Sequence, residues 1–296
     1  MAALSPAMAS LIPRQSNSAT GYADPTQGGG RFLTYLPNSA STVGEPINIV
    51  ISNASDRFVL TSKGFLEWAS SVQLIPNACV VRDNLGGSQQ ADLGDGNGRK
   101  NQTDVLRHSY FTDNTCKETI QGGNHARYWR QNGTSADSRA WFLAASVEMP
   151  LAQSHKVVSD GYDLGRDWII GNATMSNGTL STGGYVFQAT STNAAMLQSV
   201  SQSDINHDIA IDGNVAVITV RVISNGTSSS TGDNPSSSSG DSGKSGSTGN
   251  TNGNSGSDST GTSAARRSTA DTSLPALMAA GAIFLGTTVL ACLTVA

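Results

Sequence analysis

"HARYWRQNGTSADSRAWFLAASVE", residues 125–148, decides the fold. Its two ends, "HARYWRQ" (125–131) and "AWFLAASVE" (140–148), are rich in aromatic and apolar residues. The "NGTSADS" between them is turn chemistry, so the stretch predicts two strands joined as a hairpin. Side chains two apart on a strand share a face, which aims His125, Arg127 and Trp129 in one direction.

Working outward, "EPINIVIS" (45–52) places Ile47, Ile49 and Ile51 at period two and predicts a strand. "SDRFVLTSKGFLEWASSVQL" (55–74) opens with Ser/Asp capping options and predicts a helix, and a Gly/Asn/Asp-rich loop follows at 83–104. "HKVVS" (155–159) predicts a short strand, and "DGYDLGRDWII" (160–170) a helix starting at Ser159 or Asp160. In "HDIAIDGNVAVITVRVIS" (207–224), Asp212-Gly213 between two apolar runs predicts a hairpin. The sum is an α+β domain over 44–223 with a single mixed, mainly antiparallel sheet and a few helices, preceded by an irregular segment, 1–43.

The chain ends speak of location. Over 224–263 every residue except Asp233, Pro235, Asp241, Lys244 and Asp258 is Ser, Thr, Gly or Asn. With nothing to bury, this segment is expected to be a disordered stalk. It would span roughly 35 Å as a coil and about 120 Å extended. Leu274–Ala296 is uncharged and long enough for a bilayer span. The small residues Ser263-Ala264-Ala265 and the polar spacer "RRSTADTS" precede it. Small residues, spacer and hydrophobic tail over 264–296 are the parts of a signal for glycosylphosphatidylinositol (GPI) attachment, with Ser263 as the attachment residue; the alternative is a retained C-terminal helix.

Six Asn-x-Ser/Thr sequons, at Asn53, Asn101, Asn132, Asn172, Asn177 and Asn225, fit an exported glycoprotein. Of three cysteines, Cys292 lies in the tail, leaving Cys79 and Cys116 as a disulfide pair that would contribute about 3–4 kcal/mol. The first thirty residues lack a basic region followed by an apolar core, so an export signal is expected upstream of Met1. The expected location is the cell surface, on the outer face of the plasma membrane or in the cell wall. The net charge of −4 and the lack of a basic stripe give no reason to expect nucleic acid as a partner.

"EPINIVISNASDRFVLTSKGFLEWA", "NHARYWR", "AWFLAASVE", "SHKVVSDGYDLGRD" and "IDGNVAVITV", in this order, resemble the LssY-type C-terminal domain over most of 45–222. The most specific elements are His125-x-Arg127-x-Trp129 and Asp163-x-x-Arg166-Asp167. The plan is also similar to that of secreted, GPI-anchored fungal proteins. Two features depart from the bacterial pattern: the membrane phosphatase or transporter-like module that usually accompanies the domain is missing, and the insert at 83–104 is longer. The resemblance implies architecture and site candidates and assigns no reaction.

On a helix, Asp163, Arg166 and Asp167 fall at i, i+3 and i+4, one face. If that helix meets the 125–131 strand, His125, His155 and Asp163 become catalytic candidates, and Arg127, Trp129, Arg166 and Asp167 ligand-binding ones. Guanidiniums supply bidentate forks for a phosphate or other anion, and imidazole a proton near neutral pH. The competing reading is a structural network in which Asp163 or Asp167 pairs with Arg127 or Arg166. His125, His155 and Asp163 also offer N,N,O donors, but nothing resembles a metal motif, so neither metal nor cofactor is expected. His108 and His207 read as surface or loop residues. "GDSGKS" (240–245) and "DLGDGNG" (92–98) imitate nucleophile, phosphate and calcium loops without the required context or spacing. Two functions stand: a GPI-anchored surface or cell-wall glycoprotein binding a cell-wall polysaccharide or anionic small molecule, or an exported phosphate-ester hydrolase using His125/His155 with Arg127/Arg166.

Overall fold

The structure, a computed structural model, describes residues 20–37, 42–76, 88–109 and 116–225. Cys79, most of the stalk, Ser263 and the hydrophobic tail lie outside the described residues.

The expected hairpin forms as β6 (Gly123–Arg130) and β7 (Trp141–Glu148), paired antiparallel from Gly123↔Glu148 to Arg130↔Trp141. It lies within an eight-stranded sheet ordered β2-β5-β6-β7-β1-β10-β9-β8. The other strands are β1 (Ile49–Ile51), β2 (Leu74–Pro76), β5 (Asp104–His108), β8 (Thr179–Leu180), β9 (Val186–Ala194) and β10 (Val215–Ser224). Every pairing is antiparallel except β1 with β10. The expected mixed, mainly antiparallel α+β sheet is therefore what the chain forms.

Period two sorts the strands into two cores. Leu106, Ala126, Tyr128, Leu143 and Ala145 point to one face, under Phe65, Trp68 and Ala69 of helix α1 (Ser62–Ser71) and Ile169 and Ala173 of helix α3 (Gly161–Ala173), the short helix α2 being Cys116–Gln121. Trp129, Phe142, Ala144, Val50 and Val215 point to the other, covered by Tyr22, Phe32 and Leu33 and by Ala91 and Leu93. The stretch 20–37, read as irregular, thus packs into the domain although its pairing is limited to bridges such as Leu33↔Pro46. The loop at 83–104 contains a small sheet of β3 (Gln90–Asp92) and β4 (Arg99–Asn101).

Three local expectations are corrected. Ile47 joins the second core while Ile49 and Ile51 join the first, because strand pairing of β1 starts only at Ile49 and both of its faces are buried. α1 is capped by Thr61, whose hydroxyl accepts the Gly64 N–H at 3.0 Å, and not by Ser55 or Asp56. Residues 207–211 form no strand. The Asp212-Gly213 turn leads into β10, whose antiparallel partner is β9, a strand the sequence reading missed.

Residues 155–159 contribute a single bridge, Val157↔Glu148, in place of a strand. Before it, Ser154 and His155 both adopt left-handed backbone conformations, φ 60 and 51. Two such residues in succession, neither glycine, turn the chain back over the end of β7 at a cost in strain. Gly165 then lets α3 lie directly on β7, since a Cβ there would sit 2.6 Å from the Ser146 Cα.

Candidate functional site

At one end of the second face the apolar residues give way to charged ones. Register explains the convergence: Arg107 of β5 stands opposite His125 of β6, His125 opposite Ser146 of β7, and Glu148 opposite Gly123. Arg107, His125, Arg127, Ser146 and Glu148 therefore share the face of Trp129. The double left-handed turn returns His155 above Glu148.

Glu148 is the hub. Arg107 Nη1 donates to its Oε2 at 2.9 Å, His155 Nδ1 lies 3.4 Å from the same oxygen, and His125 Nε2 lies 3.5 Å from Oε1. Arg127 Nη1 donates to Gln102 Oε1 at 3.1 Å, and its Nε is 3.5 Å from Glu45 Oε2. The four guanidinium and imidazole groups around these carboxylates, and the carboxylates themselves, are at least nine-tenths buried. Burial alone would push the Glu148 carboxyl up. His125, the contact from His155 and the guanidiniums of Arg107 and Arg127 outweigh it and hold the group well below the usual carboxylate range. Burial pushes the His125 imidazole down to about 4, against the pull of Glu148, so it is neutral in the fold at pH 7.

These groups border a cavity of about 530 Å³, within the range of small-molecule sites. Glu45, Gln89, Arg107, Arg127, Glu148 and His155 supply its buried wall, and Leu36, Pro37, Leu151 and His207 lie among its more exposed lining. His125 sits behind this wall and does not line the cavity. Arg107 Nε, Arg127 Nε and both ring nitrogens of His155 are buried without a hydrogen bond of normal geometry, as is His125 Nε2. Gln89 adds another donor. The Thr34 hydroxyl accepts the Glu45 N–H and donates to Gln89 Oε1 at 2.6 Å, which leaves the Gln89 Nε2 amide unpartnered among the described residues. The wall is thus rich in donors that no described residue satisfies.

The remaining candidates lie elsewhere, so the expected single constellation divides in two. Arg166 donates from Nη1 and Nη2 to the Asp212 carboxylate at 2.7 and 2.9 Å, from Nη1 to Asp163 at 3.2 Å and from Nε to Asp167 at 2.8 Å. Asp163 also accepts the Asp212 backbone N–H at 2.8 Å. This closed network ties α3 to the turn before β10. Burial depresses the Arg166 guanidinium, but the bonds to Asp212 and Asp167 raise it further, so it stays charged. None of Asp163, Arg166 and Asp167 lines the cavity. Trp129 packs in the second core and donates to the Lys100 carbonyl at 3.0 Å, a packing role in place of a ligand contact.

His108, read as a surface residue, is buried on β5, with Nε2 2.7 Å from Gln73 Oε1 and its ring against Trp168. His207 is exposed at the cavity rim. Sequence reasoning missed Arg107, Glu45 and Gln89 and treated Glu148 only as the acidic end of a strand. Among the described residues no three His, Cys, Asp or Glu side chains are grouped to hold a metal ion, and no helix is long and apolar enough to cross a membrane.

The fold and the cavity define an α+β domain with a donor-lined polar pocket at one end of its sheet. Comparisons with family models, curated proteins and solved structures found no match to the chain.

Proposed function

We propose that the chain is a GPI-anchored cell-surface glycoprotein whose domain, of the LssY-like type, binds a small anionic ligand in the cavity lined by Arg107, Arg127 and His155. The observation that carries the reading is the set of buried nitrogen donors without hydrogen bonds around that cavity. Leaving a buried donor unsatisfied costs about 1–3 kcal/mol, and more when it is charged. An oxyanion would satisfy several of them at once, with charge-assisted bonds from the guanidiniums. The test is calorimetric titration of inorganic phosphate into the full chain. A saturable one-site isotherm is expected, and the absence of any binding removes the reading.

The contact between Glu148 Oε2 and His155 Nδ1, at 3.4 Å, favours a second reading, phosphate-ester hydrolysis with His155 as general acid or base. Turnover of a simple aryl phosphate that is lost in His155→Gln would select hydrolysis. Binding without turnover selects the ligand-binding role.

All six sequon asparagines are at least partly exposed, which supports glycosylation on an outer surface. Phosphatidylinositol-specific phospholipase C is expected to release the protein from cells. Retention on the membrane with Leu274–Ala296 still present by mass spectrometry contradicts the anchor.

A further inference from the structure

We infer that the cavity takes up its anion together with one proton, and that His155 is the residue that receives it. This rests on the anion-binding reading of the cavity.

The fixed charges argue first. Two guanidiniums, Arg107 and Arg127, stand against two carboxylates, Glu148 and Glu45, each within ion-pair range of its partner. The wall is therefore close to neutral before a ligand enters, although it is rich in donors. A dianion such as sulfate or a phosphate ester would bring uncompensated charge into a buried site, which is unfavourable unless a proton arrives with it.

Donor geometry argues second. His155 Nδ1 faces Glu148 Oε2 at 3.4 Å, while Nε2, on the other side of the ring, has no hydrogen-bond partner among the described residues. A neutral imidazole has one N–H and one lone pair. With an anion at Nε2, a neutral ring would turn its lone pair either on the anion or on the Glu148 carboxylate. Only the imidazolium donates to both. The left-handed turn at Ser154 and His155 is what places this residue beside Glu148 at the end of β7.

The other groups around the cavity are poorly suited to take the proton. Arg107 and Arg127 are already charged. Glu148 stays ionised under the influence of its cationic neighbours, and His125 resists protonation through burial and lies behind the wall. The Tyr162 hydroxyl, raised far by burial and donating to the Asn206 carbonyl at 3.2 Å, stays neutral. Glu45 faces Arg127. His207, with Asp208 beside it, is exposed on the rim, where an imidazolium would meet solvent in place of Glu148. On the segment of His155 itself, Lys156 and Asp160 are exposed.

The test is isothermal calorimetry of the full chain with sulfate, whose charge is constant between pH 6 and 8, in buffers of different ionisation enthalpy. Affinity is expected to fall as pH rises, by up to about tenfold per pH unit, with close to one proton taken up per sulfate bound. His155→Gln, which keeps a donor and removes the titration, is expected to bind sulfate with no pH dependence and no buffer-dependent heat. Wild-type binding that is independent of pH and buffer overturns the proton linkage and leaves the anion site standing. So does a dependence lost in His207→Ala and kept in His155→Gln, which moves the proton to the rim. Failure of wild type to bind sulfate or phosphate at any of these pH values overturns both the linkage and the anion site.

Discussion

Glu148→Ala is expected to destabilise the domain by about 3–5 kcal/mol at pH 7, the effect of leaving a buried charge without its partner. Glu148 accepts the hydrogen bond that Arg107 makes at 2.9 Å, and Arg107 is 2% exposed, so its guanidinium cannot turn to water instead. For a domain of this size the loss corresponds to roughly 10 °C in Tm. Formate or acetate, entering the space of the missing carboxyl, is expected to restore part of it. Glu148→Gln should lose less, because its amide oxygen still accepts. The difference from wild type should shrink in acid. The folded-state carboxyl is depressed, so its stabilisation is present above the unfolded value and is lost as pH falls through the folded one. Thermal melts at pH 7 and pH 3 check both parts. A variant as stable as wild type at pH 7 contradicts the hub role of Glu148.

Acid is expected to destabilise the wild type in two successive windows. The first belongs to His125, held down to about 4 mainly by burial. A depressed imidazole stays neutral in the fold while the unfolded chain takes up the proton near its ordinary value of 6.5. Stability is therefore full above about 6.5 and falls by up to ~3 kcal/mol as pH drops to about 4. His108, held down to about 4 by burial against the pull of Glu118, acts in the same direction. The second window, below about pH 4, belongs to Glu148 and to Asp212. Asp212 is held down to about 2, because the hydrogen bonds from Arg166 and Asn214 outweigh its burial. Asp163, raised by burial, works the other way at the lower end of the first window, because the fold takes up its proton at a higher pH than the unfolded chain does. Chemical denaturation between pH 7.5 and 3 measures both windows, and His125→Gln should flatten the upper one. Constant stability from pH 7 to 5 contradicts a neutral, buried His125.

The sheet was legible where one strand carried its own signal. The 125–148 hairpin announces itself by aromatic runs around a polar turn, and its register then fixes which side chains share a face. The Asp212-Gly213 turn misled, because Asp212 serves Arg166 and the strand that pairs with β10 comes from much earlier in the chain. That strand, Val186–Ala194, does alternate, with Phe187 and Ala189 inward against exposed Gln188 and Thr190. Its polar outer face and small inner residues mute the hydrophobic pattern.

At the site, His125 and Arg127 were legible as a strand pair and His155 as a nearby candidate. Arg107 follows the same rule one strand over, since Val105 and Arg107 continue the face of Arg127 and His125. Only the pairing of β5 with β6 makes that visible. Glu45 stands two residues before Ile47 of the second core but ahead of the paired part of β1, and Gln89 reaches the cavity from irregular chain. Asp163, Arg166 and Asp167 did share a helix face as their spacing implied. Their partner was Asp212, which helical spacing could not supply.

The central claim, that the cavity of Arg107, Arg127 and His155 is an anion site while the Arg166 cluster is structural, is tested most directly by thermal melts of the full chain with and without inorganic phosphate. Wild type, Arg127→Gln and Asp167→Asn are the three proteins to compare, Asp167 being an exposed partner of Arg166 outside the cavity. Phosphate is expected to raise Tm in wild type and in Asp167→Asn, by about 2.7 kcal/mol of stabilisation at one hundred times Kd, and to leave Arg127→Gln unmoved. A wild-type Tm indifferent to phosphate, or a response that survives in Arg127→Gln and disappears in Asp167→Asn, would contradict it.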